Sequence, residues 1–151
     1  MADDLASANV NRAYSLAGTS IAIFTFILFF MFPRFTNGEV NPTLFQATLL
    51  AMGVATFSFV LASFSYYCAS MGSRFEAFEC ALHSRRGDRL WLLGYTLLFL
   101  APSLILFAIG LRAVGSVWLG LWLVYLYFVI RYFPRLQTVP HRGVPDEVRA
   151  G

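Results

Sequence analysis

The chain has 151 residues, of which 58% are hydrophobic, 17% aromatic and only 13% charged, with a mean hydropathy of +0.66. A soluble domain keeps about a quarter of its residues charged, so this composition excludes one and makes lipid the principal solvent. All eleven basic residues are Arg, against eight acids. Because they flank apolar runs that hold most of the aromatics, the excess of +3 points to membrane topology and away from a basic, stacking nucleic-acid face.

Four apolar runs follow one another. The first, about residues 14–32, contains IAIFTFILFFMF and reaches roughly 28 Å as a helix, close to a hydrocarbon core. Pro33 and Arg34 are expected to end it. The residues before it carry two Asp and one Arg with no recognisable secretory signal, so a retained N-terminus is expected. The second run, about 44–69, opens after Asn41-Pro42-Thr43, a turn and N-cap signal, and is longer than a bilayer requires.

Residues 70–89 form the predicted second loop. Phe75, Phe78 and Leu82 recur at helical spacing beside Glu76, Glu79 and His83, which predicts a short amphipathic helix on the membrane surface. Arg74, Arg85, Arg86 and Arg89 are then placed among lipid phosphates. The third run, about 90–111, has Asp88 as its expected N-cap and Pro102 near its middle, a candidate kink or hinge. The fourth, about 114–133, follows so closely that the two runs form an antiparallel hairpin, and Pro134 is expected to stop it. A polar tail, 134–151, completes a single transmembrane domain.

These runs predict an all-α four-helix transmembrane bundle. Nine arginines fall on the side shared by the N-terminus, the second loop and the tail, whereas Arg34 and Arg112 alone fall on the other. Positive residues stay inside, so both termini are expected in the cytoplasm of a multi-pass plasma-membrane protein.

Residues that announce chemistry are scarce. Glu76, Glu79, Cys80 and His83 form the nearest approach to a ligand cluster, but the other runs offer no Glu, Asp or His at membrane depth to complete a metal site. The two histidines, His83 and His141, lie outside the runs, which disfavours a buried haem. Cys68 and Cys80 lie near the face expected to be cytoplasmic, where a structural disulfide is disfavoured. Neither a cofactor nor an enzymatic activity is therefore expected.

What remains is surface. Ala47, Ala51 and Ala55 form a small-residue stripe that should seat the second helix closely against a neighbour. Trp122 and Tyr125 lie too deep for an interfacial belt and are expected to meet a partner. Hydroxyls such as Thr19, Ser20, Thr48, Ser58, Thr96 and Ser103 suit either helix packing or the lining of a pore. The expected role is a non-catalytic accessory or anchoring subunit packed with other membrane helices or with copies of itself. A homo-oligomeric channel lined by hydroxyl and small residues is the alternative.

Overall fold

The computed structural model describes residues 2–71 and 77–136, with side chains over 7–71 and 79–131. Four helices make up the described chain: α1 (Ala2–Thr36), α2 (Pro42–Ser70), α3 (Ala77–Ala108) and α4 (Arg112–Leu136). All four are long and apolar enough to cross a membrane. The chain is thus an all-helical, multi-pass bundle.

Asn41 caps α2 as its sequence predicts: the side-chain Oδ1 accepts the Leu44 N–H at 3.1 Å and Pro42 opens the helix. Two glycines close the helices that end beside it. Gly38 (φ +75°) and Gly110 (φ +83°) take the left-handed conformation. Around each, one N–H returns to the carbonyl three residues back and the next N–H to the carbonyl five back: Gly38 to Phe35, Glu39 to Arg34, Gly110 to Phe107 and Leu111 to Leu106. The Asn41 N–H then reaches the Ala108 carbonyl at 3.0 Å and ties the two turns together.

Three expected boundaries are corrected. α1 runs from Ala2 through Pro33 to Thr36; the proline costs the bond to the Phe29 carbonyl, and the helix closes beyond it on the Pro33 carbonyl. The Pro33 carbonyl still accepts from the Asn37 N–H and the Thr36 hydroxyl. α4 likewise passes Pro134 and ends at Leu136. Most consequentially, residues 77–89 are not a separate surface helix. They are the first turns of α3, continuous with its membrane span. Asp88, expected as an N-cap, lies inside α3 instead, and it and Gly87 are held helical from outside: the Tyr66 ring lies against Gly87 and the Tyr66 hydroxyl donates to Asp88 Oδ1 at 2.7 Å.

α2 is the centre of the bundle, packed between α1 and α3, while α4 packs on the far side of α3. Its buried positions Phe45, Thr48, Met52, Ala55, Phe59, Ala62 and Tyr66 alternate in steps of three and four, the repeat that keeps one seam facing a neighbour along a left-handed crossing. Every seventh of these is large: Phe45, Met52, Phe59, Tyr66. Opposite them on antiparallel α3 stand four small buried residues at the same interval: Ala108, Ala101, Gly94, Gly87. Phe45 and Met52 share one buried cluster with Ala108 and Ala101. A β-carbon built on Gly94 would lie 2.8 Å from the Phe59 ring, and one on Gly87 2.8 Å from the Tyr66 ring. In lipid, where burial of apolar surface gives helices no net drive to associate, such close fit is what holds them.

Candidate functional site

The hydroxyls bear first on the pore alternative. Thr19, Thr48, Thr56, Ser58, Ser65, Thr96 and Ser116 each donate to the carbonyl four residues earlier in their own helix, at 2.8–2.9 Å. Each hydroxyl thereby spends its one donor within its own helix and keeps its oxygen lone pairs. Ser20 and Ser63 are buried without a hydrogen-bond partner among the described residues.

Besides the Tyr66 hydroxyl, which reaches Asp88 from α2, two polar groups bridge helices. Ser103 Oγ donates to the Gly115 carbonyl at 3.0 Å, and Trp122 Nε1 donates to the Thr96 carbonyl at 2.8 Å. Both fasten α4 to α3. The Phe107 ring lies 3.2 Å from where a Gly115 β-carbon would be, and Tyr125 meets Phe99 with ring centroids 5.3 Å apart. Trp122 and Tyr125, expected to meet a partner, therefore point inward to α3 and are half-buried within the chain. Which way a helix turns its aromatics depends on its neighbour, and nothing in the α4 sequence states that.

The Ala47, Ala51 and Ala55 stripe is engaged inside the chain as well. Ala55 is fully buried in a cluster with Ala17 of α1 and Phe59, Ala51 is buried and Ala47 half-buried. On the α1 side Ala13, Ala17, Ser20 and Ile27 are buried, so along Ala13, Ala17 and Ser20 the two helices approach through small side chains.

With Trp122 and Tyr125 turned inward, the first half of α4 presents a different outer surface. Directly opposite the α3 contact lie Ala113, Val117, Gly120 and Val124, spaced four, three and four apart and all exposed. A β-carbon on Gly120 would meet nothing within 4 Å. This stretch carries small or β-branched side chains up to exposed Tyr127 and Phe128, whereas α1 exposes bulky rings such as Phe26, Phe29 and Phe30.

Between α1 and α4 the bundle is open. A groove of about 530 Å³ is bounded by Ile23 and Ile27 of α1 and Trp118 of α4, with Met52 of α2 and the α3 turn around Pro102 as its floor. A second cavity, about 180 Å³, shares Phe99 and Trp118 with it and extends to Trp122 and Tyr125. Pro102, the candidate hinge, thus lines the groove, and its missing N–H leaves the Leu98 carbonyl without its usual helical donor.

Of the arginines assigned to lipid phosphates, Arg85, Arg86 and Arg89 are exposed on the first turns of α3. Arg74 lies outside the described residues, as do Phe75, Glu76 and the tail beyond residue 136. Among the described residues no three His, Cys, Asp or Glu side chains gather as a metal-holding group, and Cys68 and Cys80 are free thiols.

Sequence reading missed the small and large seven-residue ladder between α2 and α3. Its signal was present as Gly87, Gly94, Ala101 and Ala108, one small residue per heptad. Comparison with known proteins brings no relative to bear on these surfaces: no family model, no curated protein and no solved structure matches the chain.

Proposed function

We propose that the chain is a non-catalytic integral membrane subunit that packs with a helix of another membrane protein through the outward face of α4. The observation that carries this reading is the one-sided attachment of α4. It is fastened to α3 along one edge and leaves Ala113, Val117, Gly120 and Val124 exposed on the other. Lipid tails need no periodic surface, but a second helix does, and small or β-branched residues at steps of three and four let two backbones approach closely.

In this reading the protein lies in the plasma membrane with both termini in the cytoplasm, the nine-to-two distribution of arginines setting its orientation. The first turns of α3 then bring Arg85, Arg86 and Arg89 to the level of the inner phosphates. A reporter fused to the C-terminus is expected to be active only in the cytoplasm, and an extracytoplasmic signal overturns the orientation.

The subunit role is tested by placing a photo-crosslinking residue at Val117 and, as a control, at exposed Phe57 on α2. Val117 is expected to trap one membrane protein, an adduct lost in Gly120→Trp, while Phe57 labels lipid. Equal adducts at both positions, or an adduct indifferent to Gly120→Trp, overturn the docking face. A purified chain that forms a symmetric ring and carries ions across liposomes would establish the channel instead.

A further inference from the structure

At the end of the bundle where α1 starts, α2 finishes and α3 begins, a cavity of about 190 Å³ has a composition unlike the apolar groove. Asn9, Arg12, Tyr66, Asp88 and Trp91 line it. The Tyr66 ring is fixed by its seat on Gly87, so its hydroxyl is aimed at Asp88 and donates to Oδ1 at 2.7 Å. The second carboxylate oxygen makes no hydrogen bond among the described residues, and the exposed Arg12 guanidinium forms no ion pair there. A carboxylate and a guanidinium thus line one cavity without a direct ion pair between them among the described residues. That arrangement suits a ligand carrying both signs.

The floor beneath the cavity is apolar. Ala13 and Ala62 are fully buried next to it, and α3 continues as a ladder of rings: Trp91 to Tyr95 at 4.3 Å, Tyr95 to Phe99 at 5.7 Å. Asp88, Trp91, Tyr95, Phe99, Pro102 and Leu106 recur at steps of three and four, so they share one face of α3. Phe99, Pro102 and Leu106 line the 530 Å³ groove. The polar cavity and the groove therefore lie along one face of α3, about 12 Å apart between Trp91 and Phe99 at the rise of a helix, with the half-buried Tyr95 ring between them, and we treat them as the two ends of one track. A small water-soluble zwitterion would use only the first end.

We infer that this track binds a phospholipid with a primary-amine headgroup of the phosphatidylethanolamine class. Its ammonium donates to the free oxygen of Asp88, its phosphate pairs with Arg12 and the Asn9 carboxamide, and an acyl chain follows the rings into the groove between α1 and α4. A primary ammonium has N–H donors for the carboxylate and a quaternary choline has none, while an anionic glycerol headgroup meets Asp88 as a like charge. This site is independent of the α4 docking face.

The test uses the purified full chain, incubated with equal amounts of phosphatidylethanolamine, phosphatidylcholine and phosphatidylglycerol of identical acyl chains, with the retained lipid quantified by mass spectrometry. The ethanolamine lipid is expected to be enriched about tenfold over the choline lipid, the ratio one charge-assisted hydrogen bond supplies. Asp88→Asn keeps an acceptor for the Tyr66 hydroxyl but is expected to bring that enrichment close to one. Arg12→Gln, at an exposed side chain with no ion pair to lose, is expected to lower retention of both lipids alike, and it carries the test should Asp88→Asn fail to fold. Equal retention by the unaltered protein, enrichment that survives Asp88→Asn, or preference for the glycerol lipid overturns the proposal. So does displacement of the lipid by an equal concentration of O-phosphoethanolamine, which would make the headgroup alone the ligand.

Discussion

α2 and α4 have nearly the same hydropathy over their most apolar stretches, 1.9 and 2.0, yet 44% of that stretch is buried in α2 and only 6% in α4. Apolarity decides that both cross a membrane. It does not decide which of them the protein surrounds. In α2 a large side chain every seventh residue meets a small one on α3, so two backbones close on each other along most of their length. α4 has one such meeting, Phe107 over Gly115, and is otherwise held by two hydrogen bonds and an aromatic contact. Lipid competes poorly with a complementary surface and well with a smooth one.

The contrast can be broken most severely at Gly94, where even a β-carbon collides with Phe59. Gly94→Leu is expected to destabilise the protein by about 3 kcal/mol or more, read as loss of folded protein in a detergent denaturation series. Phe59→Ala empties the same contact. Because lipid is as apolar as the core, only the packing loss remains, and about 2 kcal/mol is expected in the same assay. The pair Phe59→Ala with Gly94→Leu should cost less than the two added together, since each removes the other's conflict; additive costs would show that the two residues do not meet.

Changes on α4 are expected to be gentler. Trp122→Phe keeps the ring and removes the N–H bond to the Thr96 carbonyl, for about 0.6 kcal/mol. Its sharper readout is local: hydrogen exchange should rise in α4 and stay unchanged in α2. The smallest effect is expected at Gly120, where Gly120→Ala enters open space and should stabilise the helix by about 0.5 kcal/mol. A destabilised Gly120→Ala chain, measured alone in detergent, would mean that the outer face of α4 is packed within the monomer.

Much of this was legible in the sequence, and the misses share a cause. Spanning length and the Asn41 cap are local properties and stand where their residues place them, whereas the α3 to α4 turn is as short as expected but lies at residues 109–111, before the expected 112–113, because Gly110 closes α3 early. Gly87-Asp88 and Pro33 also look local, as breakers, but their effect depends on surroundings. Tyr66 holds the first helical, and after the second the Asn37 N–H and Thr36 hydroxyl close the helix on the Pro33 carbonyl. The inward turn of Trp122 and Tyr125 was not legible at all, because the Thr96 carbonyl and Phe99 that receive them belong to another helix. The track on α3 is an intermediate case. Its ring spacing is visible in Trp91, Tyr95 and Phe99, but Arg12 joins Asp88 only when α1 is laid alongside.

The turn at Gly110 bears on how such a chain enters a bilayer. Three residues separate α3 from α4, and the left-handed glycine returns its own N–H and that of Leu111 to carbonyls that would otherwise face lipid during passage. The Ser103 hydroxyl covers the Gly115 carbonyl from the other arm. Arg112 is the one charge at the tip of this hairpin. The two helices therefore form a unit whose polar atoms are already largely satisfied before it meets α2; in the orientation proposed above it is fit to be translocated as a folded pair with a single guanidinium to carry across.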